Sequence, residues 1–214
     1  MRCEIFSEAK AKAAKLGVRN VLLATNTGKS VEAAQKTMGG GFNFFAVGNP
    51  SRSREKGWVY HCGITPETKE RLEGRGITVV EQDLSIFQCR PDRQADQSSF
   101  RNVNAAYVRR FRRTFEQDEK VPNNICKVIR HILGEFFGDG PCVCIEITLM
   151  AADSGKLPLD EDCMAIATPG KYPHTALVTH PVKSAEAFST HFRVKDVLFV
   201  PAEDDIWVND RPIP

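Results

Sequence analysis

The segment Leu22–Ala34, "LLATNTGKSVEAA", carries residue types that could bind a phosphate group. A Walker loop has a glycine five positions before its Gly-Lys-Ser. That position here is Leu23, so the loop is too short to surround a triphosphate. A short turn that leads into a helix still presents backbone amides and the helix dipole to an anion. The pattern therefore predicts capture of a monophosphate, and a simple turn without a ligand is the alternative.

Each residue type in this loop has a predicted role. The backbone amides of residues 27–30 form a cup around the phosphate, and Lys29 supplies positive charge. Hydroxyl groups supply further hydrogen bonds. The predicted phosphate-binding residues are Thr25, Asn26, Thr27, Gly28, Lys29 and Ser30.

Two acidic residues are candidates for catalysis. Glu146 is the only acid in the apolar run Cys142–Ala152, and burial raises the pKa of carboxyl groups, so it could act as a general base. A structural partner for an amide or a basic side chain is the alternative. Asp153 follows, with Ser154, in a predicted turn whose polar atoms face a crevice. Ser154 is not in a G-x-S-x-G motif, which argues against a serine hydrolase.

The loop 48–63 contains side chains that could contact a planar ring. Trp58, Tyr60 and His61 can stack on such a ring, and plain packing is the alternative for Trp58. His61 precedes Cys62, but adjacent residues on a strand point to opposite sides. A nucleophile–base pair is therefore not predicted here.

The cysteines lack the spacing of a metal site or of a disulfide framework. There are seven, an odd number, with no C-x-x-C pair. Cys142 and Cys144 share one face of a predicted strand, which favours a role as small buried residues. We predict no bound metal, and the thiols fit a reducing compartment.

Strands and helices that alternate along the chain must position these residues. The predicted elements, in chain order, are a helix over Ser7–Leu16, the strand "NVLLAT", a helix over 29–38, the strand "FNFFAV", a helix that begins at Thr65 and the strand "ITVVE". This βαβαβ order predicts a parallel sheet with helices on both faces and right-handed crossovers.

The later strands complete the predicted sheet. The apolar run "CVCIEITLMAA" is interpreted as a central fourth strand, and "DCMAIAT", "HTALVTH" and "VLFVP" are further strands. The predicted fold class is α/β, a three-layer sandwich with a mainly parallel sheet of order 3-2-1-4-5. In that order Thr25–Ser30 and Asp153-Ser154 face each other across one crevice at the carboxyl edge.

Composition argues against several classes of partner. The 29 basic and 27 acidic residues give a net charge of +2, which provides no overall field for nucleic acid or for a membrane surface. Arginines are concentrated in the predicted helix 98–115, and a solvated face or an acidic neighbour are the two interpretations. No apolar run approaches the ~20 residues of a membrane span. We expect a cytoplasmic protein without a nucleic-acid or membrane partner.

Two segments resemble the C-terminal domain of pyruvate kinase. Thr25, Thr27, Gly28, Lys29 and Ser30 match its phosphate loop, with lysine in the place of arginine. "ATPGKYPHTALV" is similar to its activator loop, where Pro169, Gly170 and Thr175 carry the match. The "YH-x-G" element (Tyr60, His61, Gly63) and "VCIEITLMAADSGKLPL" are similar to free-standing members of that family, which lack the kinase barrel. The resemblance covers about residues 20–76 and 141–201.

This resemblance implies a fold and a ligand. It implies one pyruvate kinase C-terminal-like domain over residues 1–214 with a helical insertion at about 82–123, where the match ends. It adds His61, Gly63, Asp153, Ser154 and Gly170 to the expected ligand-binding residues. The free-standing members imply flavin mononucleotide (FMN) as cofactor, with no assigned reaction. Since the barrel that carries the kinase's catalysis has no counterpart in these residues, we do not expect a pyruvate kinase.

Other functions stay open at this point. A regulatory module that senses a sugar phosphate is the first alternative, and a small hydrolase that uses Glu146 and Asp153 is a weaker one. Pyruvate kinase C-terminal domains meet in a tetramer, so the resemblance also implies a homo-oligomer. Whether the protein is an enzyme is not decided by these patterns.

Overall fold

A computed structural model describes residues 4–49, 63–82, 136–167, 175–187 and 191–199, together with positions 129 and 133. The strands of this part of the chain are β1 (Asn20–Ala24), β2 (Asn43–Val47), β3 (Thr78–Val80), β4 (Cys163–Ala167), β5 (Thr175–His180) and β6 (Arg193–Phe199). The helices with described bounds are α1 (Glu4–Leu16), α2 (Lys29–Met38), α3 (Pro66–Glu73), α4 (Asp139–Asp153) and a 3-10 helix (Ser184–Glu186).

The strands form one mixed sheet of order β3-β2-β1-β4-β5-β6. β3, β2, β1 and β4 are parallel, while β5 and β6 run antiparallel to their neighbours. Val21, Leu22 and Leu23 of β1 are all buried, as expected for a parallel strand covered on both faces. The chain adds β2 and β3 on one side of β1 and β4 on the other. The strand order therefore reverses between β1 and β4. At such a switch point, open α/β sheets bind ligands in the crevice outside the carboxyl ends of the strands.

Helices cover both faces of this sheet. Phe6 of α1, Val31 of α2 and Leu72 of α3 belong to one buried cluster with side chains of one face. Ile147 of α4 belongs to a second cluster, which contains Leu22 and other side chains of the opposite face. The described elements thus form the three-layer α/β arrangement that the alternation of strands and helices predicted.

The predicted central strand "CVCIEITLMAA" is wrong, because this run lies within α4. A continuous apolar run indicates burial but does not distinguish a strand from a helix that is buried on most sides. The strand beside β1 is instead Cys163–Ala167. The five-strand order 3-2-1-4-5 was therefore assigned to the wrong segments, and the sheet has six strands in the described residues, the last two antiparallel.

Helix α4 crosses its face of the sheet from the carboxyl edge towards the amino edge of the parallel strands. At its start, Gly140 lies so close to Thr175 that a Cβ on Gly140 would overlap the Thr175 side chain, and Thr175 is paired with the last residue of β4. Two turns later, the hydroxyls of Thr148 and Thr179 lie 3.5 Å apart, and Thr179 is paired with the first residue of β4. The end of α4 therefore lies away from the loop that follows β1.

The predicted helix start at Thr65-Pro66 agrees with the structure. The helix after Thr65 begins at Pro66, and the Thr65 hydroxyl accepts a hydrogen bond from the Thr68 amide at 3.3 Å, so Thr65 is its N-cap. The helical insertion at about 82–123 and the basic segment 98–115 lie outside the described residues. None of the described helices combines the length and apolar character that crossing a bilayer requires.

Candidate functional site

The loop Thr25–Ser30 leaves the carboxyl end of β1 and is held by its own hydroxyl groups. Thr25 remains in the sheet, since its amide donates to Val47 O at 3.0 Å. The Thr25 hydroxyl oxygen accepts from the Gly28 amide at 2.9 Å. The Ser30 hydroxyl donates to Ala24 O at 3.1 Å. Both side chains therefore help to set the loop's shape, and the Gly28 amide, which was predicted to contact the phosphate, is bonded within the loop.

Gly28 brings the loop into α2 through a left-handed conformation, with φ 79° and ψ −11°. The first bond inside the helix runs from the Glu32 amide to Gly28 O, at 3.0 Å. The amides of Lys29, Ser30 and Val31 therefore have no acceptor within the helix, and no side chain caps this end in the described residues. Open amides and the positive end of a helix dipole are features that favour an anion, and the binding of an anion here stays a prediction.

The structure places a second cation at this loop beside the lysine that the sequence predicted. The Lys29 side chain is exposed at the first position of α2, with its charge in solvent. A second cation, which sequence analysis missed, is Arg71 of α3. Its Nη2 donates to Thr27 O at 2.8 Å, and its Nη1 pairs with the Glu32 carboxylate. Arg75, in the turn that follows α3, lies 3.6 Å from the same carboxylate.

A sequence signal for these contacts does exist. Glu32 and Gln35 are spaced i, i+3 on α2 and so lie on one face of that helix. Arg71 lies on α3, and Arg75 follows four positions later in the turn after α3. Gln35 exchanges hydrogen bonds with Arg75, through the Nε of Arg75 at 3.3 Å and the Arg75 carbonyl at 3.2 Å. Complementary residues on α2 and on α3 with its following turn indicate that the two helices lie side by side, but not that one arginine reaches the loop.

Asn26 connects the loop to the next one along the same edge. Its side-chain oxygen accepts from the Asn49 amide at 2.9 Å. Asn49 follows Gly48, and a Cβ on Gly48 would lie 3.4 Å from the Cα of Gly63. The structure therefore brings Gly63 to the carboxyl edge together with residues 25–30. His61 lies two residues earlier in the chain and outside the described residues, as do Trp58 and Tyr60.

Asp153 and Ser154 do not face this loop across a crevice, contrary to the predicted arrangement. They lie at the far end of α4, because the run before them is a helix and not a strand. Asp153 accepts from the Ser184 amide at 2.8 Å, at the start of the 3-10 helix after β5. The Ser154 hydroxyl donates to Ala151 O at 2.6 Å. Both residues have structural contacts at the end of α4.

The two candidate catalytic acids are also not brought together as a pair. Glu146 is half-buried on α4, and Asp153 is exposed at the end of the same helix. Seven positions separate them, which is about two helical turns or ~10 Å along the axis. A pair of carboxylates that shares one substrate needs them closer or facing each other across a cleft. The hydrolase prediction therefore gains no support from this placement.

Gly170 lies outside the described residues, so its predicted role is not tested. Its segment, 168–174, joins Ala167 to Thr175, and these two residues are paired at the carboxyl edge of the parallel strands. β4, which ends at Ala167, is the strand across the switch point from β1. Both ends of this connection are thus anchored at the same edge as the loop Thr25–Ser30.

The described cysteines are buried, but not in the way that a strand would place them. Cys142 and Cys144 lie on α4 and belong to different core clusters. Burial raises the pKa of the Cys144 thiol, and burial also raises that of Cys163 to about 11, so both are small core residues at neutral pH. In the described part of the chain, no group of histidine, cysteine and acidic side chains has the geometry of a metal site.

No known family model matches the chain.

Proposed function

We propose that this protein binds the phosphate group of a small phosphorylated ligand at the loop Thr25–Ser30. The observation that carries the proposal is the start of α2, where the amides of Lys29, Ser30 and Val31 have no acceptor within the helix and no described side chain caps them. This end lies at the carboxyl edge, beside the switch point between β1 and β4. Open α/β sheets bind ligands at such positions, and helix N-termini favour anions.

The number of open amides supports a monophosphate over a triphosphate. The Gly28 amide is already bonded to the Thr25 hydroxyl, so the cup is smaller than a Walker loop, in which consecutive amides surround a β-phosphate. Lys29 adds one exposed charge without the planar, two-point geometry of arginine. Such a site favours a terminal phosphate whose other part extends along the carboxyl edge.

FMN is the ligand that we propose for this site, and no reaction is assigned to it. The proposal rests on the resemblance of "TNTGKS" and "YH-x-G" to the free-standing pyruvate kinase C-terminal-like proteins. Gly63 of the second motif lies at the same edge as the loop, next to Gly48. Trp58, Tyr60 and His61 precede Gly63 in the sequence, and side chains of these types can stack on an aromatic ring system.

Fluorescence titration tests the ligand directly, because flavin emission is quenched when the ring stacks on aromatic side chains. We expect FMN to bind with quenched emission, and riboflavin, which lacks the phosphate, to bind at least about 10-fold more weakly. Equal affinities for FMN and riboflavin would show that the phosphate group does not contribute to binding, which would contradict the proposed phosphate site. Thermal stabilisation by fructose 1,6-bisphosphate, with no uptake of FMN, would support a sugar-phosphate sensor instead.

A matched pair of lysines on α2 tests the location of the site. Lys29 lies in the first turn of α2 and Lys36 in its last turn, and both are exposed. Lys29→Gln should weaken FMN binding by about 3- to 10-fold, since it removes a charge beside the phosphate. Lys36→Gln changes the net charge equally and should leave the affinity unchanged. Equal effects of both variants would indicate a general charge effect and reject this location.

A further inference from the structure

Arg71 contacts two different elements with the two ends of its guanidinium group. One nitrogen, Nη2, donates to the carbonyl of Thr27 at 2.8 Å, and the other, Nη1, pairs with the Glu32 carboxylate. Thr27 belongs to the loop and Glu32 to the first turn of α2. A guanidinium is planar and has donors in fixed directions, so the pair with Glu32 also fixes the direction of the bond to Thr27.

The peptide between Thr27 and Gly28 is held at both of its polar atoms. Its carbonyl accepts from Arg71, and its N–H donates to the Thr25 hydroxyl at 2.9 Å. The backbone is restrained from the side of α3 as well, since a Cβ on Gly28 would lie 2.9 Å from Leu72 Cδ2 and 3.1 Å from Arg71 Nη2. No other orientation of this peptide keeps both hydrogen bonds.

We infer that Arg71 is the positioning residue of the anion loop: from α3, it fixes the Thr27–Gly28 peptide so that the Thr27 carbonyl points away from the phosphate. The inference rests on the proposed phosphate site. A carbonyl oxygen that turned towards the amides of Lys29 and Ser30 would repel an anion and compete for their hydrogen bonds. Arg71 therefore supports binding through the loop's shape, and Glu32 orients Arg71.

Arg75, in the turn that follows α3, provides a matched control. It also lies near Glu32, at 3.6 Å, but its hydrogen bonds are with Gln35 and not with the loop. Arg71→Gln removes one positive charge from α3, and Arg75→Gln removes one from the turn that follows it. Arg71→Lys keeps the charge but lacks the planar group that reaches Glu32 and Thr27 at the same time.

The experiment compares these three variants with the wild-type protein in two measurements. The first is the position and hydrogen exchange of the Gly28 amide resonance in the ligand-free protein, and the second is the affinity for FMN. We expect Arg71→Gln and Arg71→Lys to shift the Gly28 resonance, to speed its exchange and to weaken FMN binding by about 10-fold. Arg75→Gln should change neither quantity. Far-UV circular dichroism establishes that each variant is folded.

The outcomes separate this inference from the proposed function. If Arg71→Gln is folded and leaves the Gly28 resonance and the FMN affinity unchanged, the inference is wrong while the phosphate site stands. If Arg71→Lys restores both quantities, charge alone is sufficient and the positioning role is rejected. If the wild-type protein does not bind FMN, the proposed ligand fails, and the Gly28 resonance still decides whether Arg71 positions the loop. If Arg71→Gln does not fold, Arg71→Lys provides the same comparison.

Discussion

Substitution of Gly28 by alanine tests the packing of α3 against the loop, on which the arrangement of the candidate site depends. Gly28 has φ 79°, where an L-residue other than glycine costs about 1–2 kcal/mol. The new Cβ would also lie 2.9 Å from Leu72 Cδ2, a contact that requires movement of a fully buried side chain. Overpacking of this kind costs about 1–3 kcal/mol. We therefore expect a loss of about 2–5 kcal/mol in the free energy of unfolding.

Gly17→Ala separates the two contributions to this loss. Gly17 has φ 71°, but nothing lies within 4 Å of a Cβ built on it. This variant should lose only the conformational part, about 1–2 kcal/mol. Equilibrium unfolding in urea, followed by far-UV circular dichroism, measures both variants, and an unchanged m-value indicates that the midpoint shift reports stability.

A double-mutant cycle with Leu72→Ala then identifies the contact. Leu72→Ala alone should cost about 2–5 kcal/mol, because it leaves a cavity in the core. In its background there is room for the Cβ at position 28, so the second substitution should cost about 1–3 kcal/mol less than it does in the wild-type protein. If Gly28→Ala costs no more than Gly17→Ala, or if the cycle shows no coupling, α3 does not pack on the loop as described.

Three further predictions concern residues away from the loop. Asn20→Asp should lower the free energy of unfolding in urea by about 3 kcal/mol near neutral pH, since the buried Asn20 amide donates to the Glu161 carboxylate at 3.0 Å and an aspartate there meets a like charge. Glu161→Gln in the same chain should restore most of this loss. If it restores none, the contact is contradicted. Burial raises the pKa of Asp162, but hydrogen bonds from Lys195 and His180 outweigh it and hold the pKa below its usual value. This carboxylate should therefore contribute up to about 1 kcal/mol to the free energy of unfolding above pH ~4, and this contribution should be lost as the pH falls further. Asp162→Asn should remove that part of the pH dependence of the urea midpoint. Burial raises the pKa of the Cys163 thiol to about 11, so iodoacetamide at mildly alkaline pH should label the peptide that contains Cys163 only after unfolding in guanidinium chloride. Mass spectrometry detects the label, and labelling of Cys163 in the native protein would contradict the prediction.

The parts of the fold that sequence predicted depend on local signals. Thr65 before Pro66 marks a helix start by capping and by the fixed φ of proline, and neither requires knowledge of the rest of the chain. The alternation of strands and helices over residues 20–80 predicted the parallel pairing of β1, β2 and β3 for a similar reason, since a short crossover helix leaves few arrangements. The loop Thr25–Ser30 lies between β1 and α2 as these signals predicted.

The segment Cys142–Ala152 was predicted wrongly because burial hides periodicity. A helix that packs against a sheet on one side and other chain segments on its remaining sides is apolar all round, and β-branched residues such as Val143, Ile145 and Ile147 then favour a strand. The error also moved Asp153 and Ser154, because the end of a strand and the end of an antiparallel helix lie at opposite edges of a sheet. One wrong element thus removed two residues from the predicted site.

Arg71 was missed for a different physical reason. Its contact with Thr27 depends on where α3 lies relative to α2, and that position follows from the burial of Leu72 and from the left-handed turn at Gly28, which leaves room for it. A sequence motif records the residues that follow one another in a loop, whereas this residue reaches the loop from 44 positions away. The residues that a motif can identify are therefore those that could touch the phosphate, while the residue that holds their backbone in place follows from the packing of two helices. If Arg71→Gln moves the Gly28 amide as we expect, the shape of this loop is a property of the tertiary structure, and the same six letters in another fold need not form an anion site.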